Sequence, residues 1–440
     1  MSAPARSGGA ALAPERAVAL KVLRRTADGA FADRALAAEA RKAGLGGKVR
    51  SAAMRLSFGV VQRRRTLDWL IDQAVDRPDK VEPRVREVLR LGTYELLFSD
   101  GVPEHAAVDQ AVRAARSIPG SGPRRAGRGG LVNAVLRRVA RDGPGWLDDC
   151  TQPAIRHSMP DWIAERMVRD FGDSAGPLMA AMNEPARTSV RWNPLRGPRA
   201  TVERGLPPTA RRGEIAPEAY VIEGPFDLEG SPLWRQGRVM GQSEASMLPA
   251  RILDPRPGER ILDLCSAPGA KATQLAALSH NAADIVAVEL HESRARSLER
   301  LAKRLGARLE VVVGDGREVP LEGPFDGVLL DPPCTGTGVL SARPDARWRR
   351  REEALLPLTG LQRELLAHAL ELVAPHGRVV YSTCSVLAEE NEGVVEASGG
   401  TVADLRQAFP ALAHPRLAGA LQTRPDRDRT DGFFIARLTV

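Results

Sequence analysis

The sequence predicts an α/β protein in which a doubly wound parallel sheet is preceded by an all-helical domain and a small α+β connector. Three patterns carry the prediction. Apolar residues recur at helical spacing from Glu15 to about Arg141, short alternating segments rich in Pro, Arg and Trp run from Gly143 to about Val239, and after Gly258 short apolar strands alternate with helices. At 440 residues the chain is too long for one average core, so two or three domains are expected.

In chain order, residues 1–14 are small and polar and are expected to be disordered; they have no apolar core of signal-peptide length. Residues 15–142 carry the helical periodicity, with Val85, Val88, Leu89, Leu96 and Leu97 in one stretch and Leu131, Val135, Leu136 and Val139 in another. Breaks are expected at Gly29, Gly44–Gly47, Pro78, Gly101–Pro103 and over a loop Pro119–Gly130, which leaves six or seven helices. The connector, 143–240, should hold a helix near Asp161–Phe171 and strands over 188–192 and 219–222. In the last part, 241–440, strands are expected at 260–264, 284–289, 309–313, 325–330 and 378–382, and the alternating tail 431–440 suits an antiparallel strand near the sheet edge.

The charge is uneven. Residues 1–145 hold 27 Lys plus Arg against 15 Asp plus Glu, or +12, so the rest must sum to −4 within the total of +8. A polyanion would meet the helical part first. Arg63–Arg65, Arg124, Arg125, Arg128, Arg137, Arg138 and Arg141 are candidates for a phosphate-binding face, or for a solvated helix surface. The four cysteines, Cys150, Cys265, Cys334 and Cys384, form no C-x-x-C pair and meet no histidine cluster, so neither a metal site nor a disulfide framework is indicated. Free thiols fit a reducing cytoplasm, and no apolar run approaches the roughly 18 residues of a membrane span. A cytoplasmic monomer is expected, with no membrane partner.

Three successive strand ends suggest a nucleoside-type ligand. After the first strand comes Asp263-Leu-Cys-Ser-Ala-Pro-Gly-Ala-Lys-Ala-Thr273, a small-residue turn that lets a ligand approach the backbone at a helix N-terminus. It lacks the G-x-G-x-x-G of dinucleotide enzymes. Glu289 ends the second strand, where an acid can accept two ribose hydroxyls, and Asp315 ends the third, where it can accept an adenine amino group. An adenosyl ligand without a pyrophosphate fits, and S-adenosylmethionine satisfies that; each acid alone would read as a helix cap or surface group.

Two further strand ends carry thiols: Cys334 in Leu329-Leu-Asp-Pro-Pro-Cys334 and Cys384 in Tyr381-Ser-Thr-Cys-Ser385. In an open parallel sheet both would point into one crevice. Alkylating a pyrimidine at C5 needs such a pair, because C5 becomes nucleophilic only after a thiolate adds to C6, and a second thiol can help break the adduct. Asp331 can share a proton at N3 of the base. A target base must be unstacked to react, and Trp348 with the run Arg347-Trp-Arg-Arg-Arg351 is expected to guide RNA or to form a basic helix start. Cys150 and Cys265 read on their own as small buried residues.

Several segments together resemble the Nol/Nop/Sun (Fmu) family of RNA cytosine-C5 methyltransferases: Leu262–Lys271, Asp331-Pro-Pro-Cys334, Arg343-Pro-Asp345, Ser382-Thr-Cys-Ser385 with Glu389-Glu-Asn391, Asp431-Gly-Phe-Phe434, and Gln242–Ser246 upstream. Over Arg63–Leu70, Leu91–Tyr94, His105–Val108 and Gly130–Leu136 the helical domain is similar to the NusB fold. That pairing is the arrangement of the Sun-type bacterial 16S rRNA methyltransferases. The resemblance implies a Rossmann-like class I methyltransferase sheet, 16S rRNA as partner, Cys384 as the nucleophile and Cys334 as the group assisting release. It also implies that Cys265, Ser266, Ala267, Pro268, Gly269, Ala270, Lys271, Glu289, Asp315 and Asp331 line the cofactor. Ala270 stands where a second glycine is usual and Pro332 where alanine is frequent; neither removes a functional side chain. The rival readings are an exocyclic amino methylase, whose motif would have an aromatic residue at position 334, and a non-enzymatic RNA-binding or antitermination factor.

Overall fold

Seven helices open the chain in the computed structural model, which describes residues 12–224 and 226–439. They are α1 (Pro14–Ala27), α2 (Ala32–Lys42), α3 (Gly47–Gln62), α4 (Arg64–Ala74), α5 (Pro83–Leu97), α6 (Glu104–Ser117) and α7 (Gly122–Asp149). The disorder expected for 1–14 concerns, through residue 11, residues outside those described. Two compact units divide the chain: one runs to Glu165 and also includes Arg343–Arg349, and the other comprises Arg166–Ala342 and Arg350–Val440.

In the first unit the apolar stripes meet in one core around Leu67, Leu89 and Leu136. The expected loop Pro119–Gly130 is shorter than its glycines suggest. Ser121 caps α7 by accepting the Arg124 N–H, and Pro123 sits in the first turn, where a missing N–H costs nothing, so Gly122–Gly130 is helical. Several expected phosphate contacts are committed to protein groups. Arg128 is buried against Glu82 and the carbonyls of Ile118 and Pro119, while Arg65 holds the Met159 carbonyl and Asp161. Arg125 and Arg137 remain exposed.

Within the run Arg347–Arg351, expected to guide RNA or to form a basic helix start, Arg347 and Trp348 turn into the protein while Arg349, Arg350 and Arg351 stay exposed. Arg347 is fully buried, donating to the carbonyls of Gln62 and Ser158, and Trp348 Nε1 donates to the Val61 carbonyl at 2.6 Å. A guanidinium so enclosed is retained because backbone oxygens replace its water.

The second unit contains two sheets. In the smaller, β1 (Thr188–Trp192), β2 (Ala210–Arg212), β3 (Ala219–Ile222) and β4 (Val239–Gly241) pair antiparallel in the order β2-β3-β1-β4. The larger comprises β5 (Arg260–Asp263), β6 (Asp284–Glu289), β7 (Glu310–Val313), β8 (Phe325–Leu330), β9 (Val373–Thr383), β10 (Thr401–Val402), β11 (Leu421–Thr423) and β12 (Phe433–Thr439). Its order is β10-β12-β9-β8-β5-β6-β7, with β11 on β12. Strands β5 to β9 run parallel; β5, β6 and β8 are buried on both faces, which is why they read as apolar runs, β7 at the edge is partly exposed, and the tail strand β12 adds antiparallel to β9. The order reverses at β5, the switch point beside which ligands bind in such sheets.

Candidate active site

Strands β8 and β9 are parallel neighbours with Leu330 opposite Tyr381, so the residues that follow them emerge side by side. The sulfurs of Cys334 and Cys384 are 3.3 Å apart. Cys334 is buried and Cys384 half-buried. The Cys334 thiol is pushed well above its ordinary range, first by its hydrogen bond to Cys384 and then by burial. In this pair Cys334 is therefore the sulfur held in its protonated form.

Beside the thiols, Asp331 accepts from Lys271 Nζ at 2.6 Å through one oxygen and from the Ser382 hydroxyl at 3.0 Å through the other. Burial works against the Lys271 charge, but Asp331 and then Cys384 outweigh it and hold the ammonium above its ordinary pKa. Lys271 also faces the Phe433 ring at 5.3 Å.

The loops that carry the sulfurs close on buried polar groups. Glu390, fully buried, accepts the Thr335 N–H at 2.8 Å, the Thr335 hydroxyl and Gln362 Nε2 at 3.1 Å. Asn391 donates to the Ser385 carbonyl and accepts from Thr383. Gly338 donates to the Cys384 carbonyl and accepts from Gly432; a Cβ at Gly338 would lie 2.0 Å from the Gly432 carbonyl oxygen, so only glycine fits. Glu390 was not among the candidate site residues, although Glu389-Glu-Asn391 was visible in the sequence.

At the other end of the crevice the chain leaves β5 at Asp263, and its loop is held by Ser266 N–H on the Val288 carbonyl and by Arg294 on the Ala267 carbonyl. Gly269, at φ +101°, turns it into the helix Ala270–Leu278 without a side-chain cap, so among the described residues that helix has no side-chain acceptor over its first amides. Ser266 and Ala267 are buried, Cys265 and Ala270 half-buried, and Pro268 is exposed. Burial drives the Cys265 thiol up, which leaves it inert as a nucleophile. Glu289 is buried at the end of β6, accepting the His291 N–H and lying 3.3 Å from Arg294. Asp315, beyond β7, is taken up by Arg317, whose hydrogen bonds hold its carboxyl below the ordinary range.

Asp263 is a candidate site residue that sequence reasoning passed over, although it opens the motif. It is buried, Oδ2 accepts from Ser266, and Oδ1 has no hydrogen-bond partner among the described residues. Burial raises its pKa to about 7. An orphaned acceptor of that kind fits a ligand ammonium, and with Glu289 it matches the donors of an adenosyl amino acid. The predicted residues thus form two groups, joined where Lys271, in the first turn after the loop, reaches Asp331.

Residues 250–439 match the family model described as 16S rRNA methyltransferase RsmB/F, and residues 13–141 match the NusB family. The ribosomal RNA small subunit methyltransferase B of Thermus thermophilus is 37% identical over 426 residues, 96% of this chain and 97% of that protein. The probable ribosomal RNA small subunit methyltransferase B of Bacillus subtilis is 30% identical, over 87% of this chain and 89% of its own. Among solved structures, that of PH0851 aligns with 100% of both chains at a TM-score of 0.80 and 27% identity.

Proposed function

The chain belongs to the 16S rRNA methyltransferase RsmB/F family, and on that premise we propose that it methylates C5 of a cytosine in 16S rRNA, with S-adenosylmethionine as methyl donor and Cys384 as the covalent nucleophile. The observation that carries this reading is the 3.3 Å contact between a proton-holding Cys334 and Cys384, with the Lys271–Asp331 pair alongside. An exocyclic amino methylase needs no second thiol there, and a non-enzymatic factor needs neither.

In the proposed cycle the cytosine is unstacked into the crevice. The Cys384 sulfur adds to C6, and the Lys271–Asp331 pair shares a proton toward N3, so the displaced electron pair is held on the ring and C5 becomes nucleophilic. S-adenosylmethionine, when bound, would supply an electrophilic methyl group for C5. The C5 proton then passes to solvent water and the N3 proton back to the Lys271–Asp331 pair as the C6–S bond breaks and the ring double bond is restored; Cys384 leaves as the thiolate it entered as, and the S–H of Cys334 assists that release by hydrogen-bonding to the departing sulfur. Asp263, Glu289, Asp315 and the loop 265–271 would hold the cofactor. The reading also has the enzyme work on RNA in the cytoplasm.

The test is a pair of variants. Cys384→Ala should reduce methyl transfer to background and yield no adduct. Cys334→Ala should accumulate a denaturation-resistant protein–RNA species, visible as a gel shift that depends on S-adenosylmethionine. An active Cys384→Ala enzyme, or an adduct formed by that variant, would overturn the assignment.

A further inference from the structure

The loop read as the cofactor site is braced from behind by a buried cation. Arg191, in the middle of β1, is 1% exposed. Its Nη1 donates to the Ala270 carbonyl and to Gln242 Oε1, both at 2.6 Å, and its Nη2 to Thr273 Oγ1 at 3.1 Å. Thr273 in turn donates to the Gly269 carbonyl at 2.7 Å. All three acceptors are neutral. The carboxylate in this network, Glu218, is reached only through two amides: Gln242 Nε2 donates to Gln274, and Gln274 Nε2 donates to Glu218 at 2.8 Å. Glu218 is itself spent on Arg251 at 2.8 Å. The Nε of Arg191 has no partner among the described residues. Burial brings the guanidinium down to about 9, still charged at neutral pH.

A buried cation with no carboxylate in hydrogen-bond contact, and only Glu218 acting on it from a distance, is expensive, and its position makes it more so. It sits against the first residue of the helix Ala270–Leu278, at the positive end of the helix dipole, where a cation destabilises the helix and an anion is favoured. The sign is wrong for folding and right for a ligand. The uncapped amides of the same turn and the orphaned Asp263 Oδ1 nearby offer the other half of a site for a zwitterion. We propose that Arg191 is a positioning residue for the amino-acid end of the methyl donor: it fixes the first turn of this helix through Ala270 and Thr273 and supplies the positive field that holds a carboxylate there. This assigns a role to the connector sheet and to Gln242, whose motif the catalytic reading left without one. It rests on reading the loop 265–271 as the cofactor site.

Two ligands separate this role from a structural one. S-adenosylhomocysteine carries the amino-acid tail, and methylthioadenosine carries the same nucleoside without it. Arg191→Gln keeps a donor for the Ala270 carbonyl but removes the charge; Arg191→Lys keeps the charge. By calorimetry, Arg191→Gln should weaken S-adenosylhomocysteine about tenfold or more and methylthioadenosine less than about threefold, while Arg191→Lys leaves their affinity ratio within about threefold of the parent value. Equal weakening of both ligands, or of neither, overturns the proposal, since loss of fold or of loop shape alone does not discriminate the tail. Should Arg191→Gln fail to fold, Arg191→Lys decides: a ratio shifted toward methylthioadenosine despite the retained charge also overturns it. Failure of the parent protein to bind S-adenosylhomocysteine would instead sink the cofactor reading itself.

Discussion

The two ends of the crevice are built from the same parts, strand ends and tight loops, but they are completed differently. Beyond β8 and β9 the acids and thiols are paired within the protein: both Glu390 oxygens are used, Asn391 bridges two residues, and each sulfur has the other, with Gln362 Oε1 the atom of that network left without a partner among the described residues. Beyond β5 buried polar atoms are left over, Oδ1 of Asp263 at the strand end and Nε of Arg191 behind the helix. On the proposed reading, the first arrangement fixes reacting atoms before a substrate arrives, which is where electrostatic catalysis gains most. The second stores unmet hydrogen-bonding capacity that a bound molecule can use, so binding there should stabilise the fold.

The largest expected effect comes from breaking the internally paired end. Glu390→Ala removes the acceptor of the Thr335 N–H and of Gln362 Nε2, and orphaning buried donors costs about 1–3 kcal/mol each. Chemical denaturation should show a loss of about 3 kcal/mol, with methyl transfer falling further than S-adenosylhomocysteine affinity; unchanged stability would mean that the loop is not held as described. Next is Lys271→Met, which strips Asp331 of its cation and removes a positive charge that acts on Cys384. Single-turnover assays should show methyl transfer reduced about 10²-fold or more. A kcat within twofold of the parent would remove Lys271 from the chemistry.

The same contrast explains what the sequence made legible. Strands such as β6 and β8 were visible as apolar runs with matching ends, because burial on both faces leaves no alternation to misread. The helical stripes around Leu89 and Leu136 were likewise plain. Gly122–Gly130 was misread because local glycine content spoke louder than a one-residue cap at Ser121. Arg347 was misread because its acceptors, Gln62 and Ser158, lie 285 and 189 residues away, and no local pattern distinguishes an arginine that will find carbonyls from one that will stay in water. Asp263 and Arg191 were hidden for a related reason: an orphaned atom is defined by neighbours that are missing, and those are countable only once the chain has folded.

The unmet capacity at Asp263 has a pH signature, smaller than the effects above but of definite sign. In the unfolded chain this carboxyl loses its proton near 3.8; in the fold, burial keeps it to about 7. Between those values the native state binds the extra proton, so its contribution to stability is fully present below about pH 4 and is lost as the pH rises through about 7. A ligand ammonium reverses the balance, because it pairs with the ionised form. S-adenosylhomocysteine should therefore bind more tightly at pH 8 than at pH 6, by up to about tenfold for the one unit below a pKa of 7, and the thermal shift it produces should grow in step. Asp263→Asn, which keeps the shape and removes the titration, should flatten that dependence while raising stability of the free protein at pH 8. A pH profile that persists in Asp263→Asn would assign the titration to another group and leave the orphaned oxygen without a ligand to explain it.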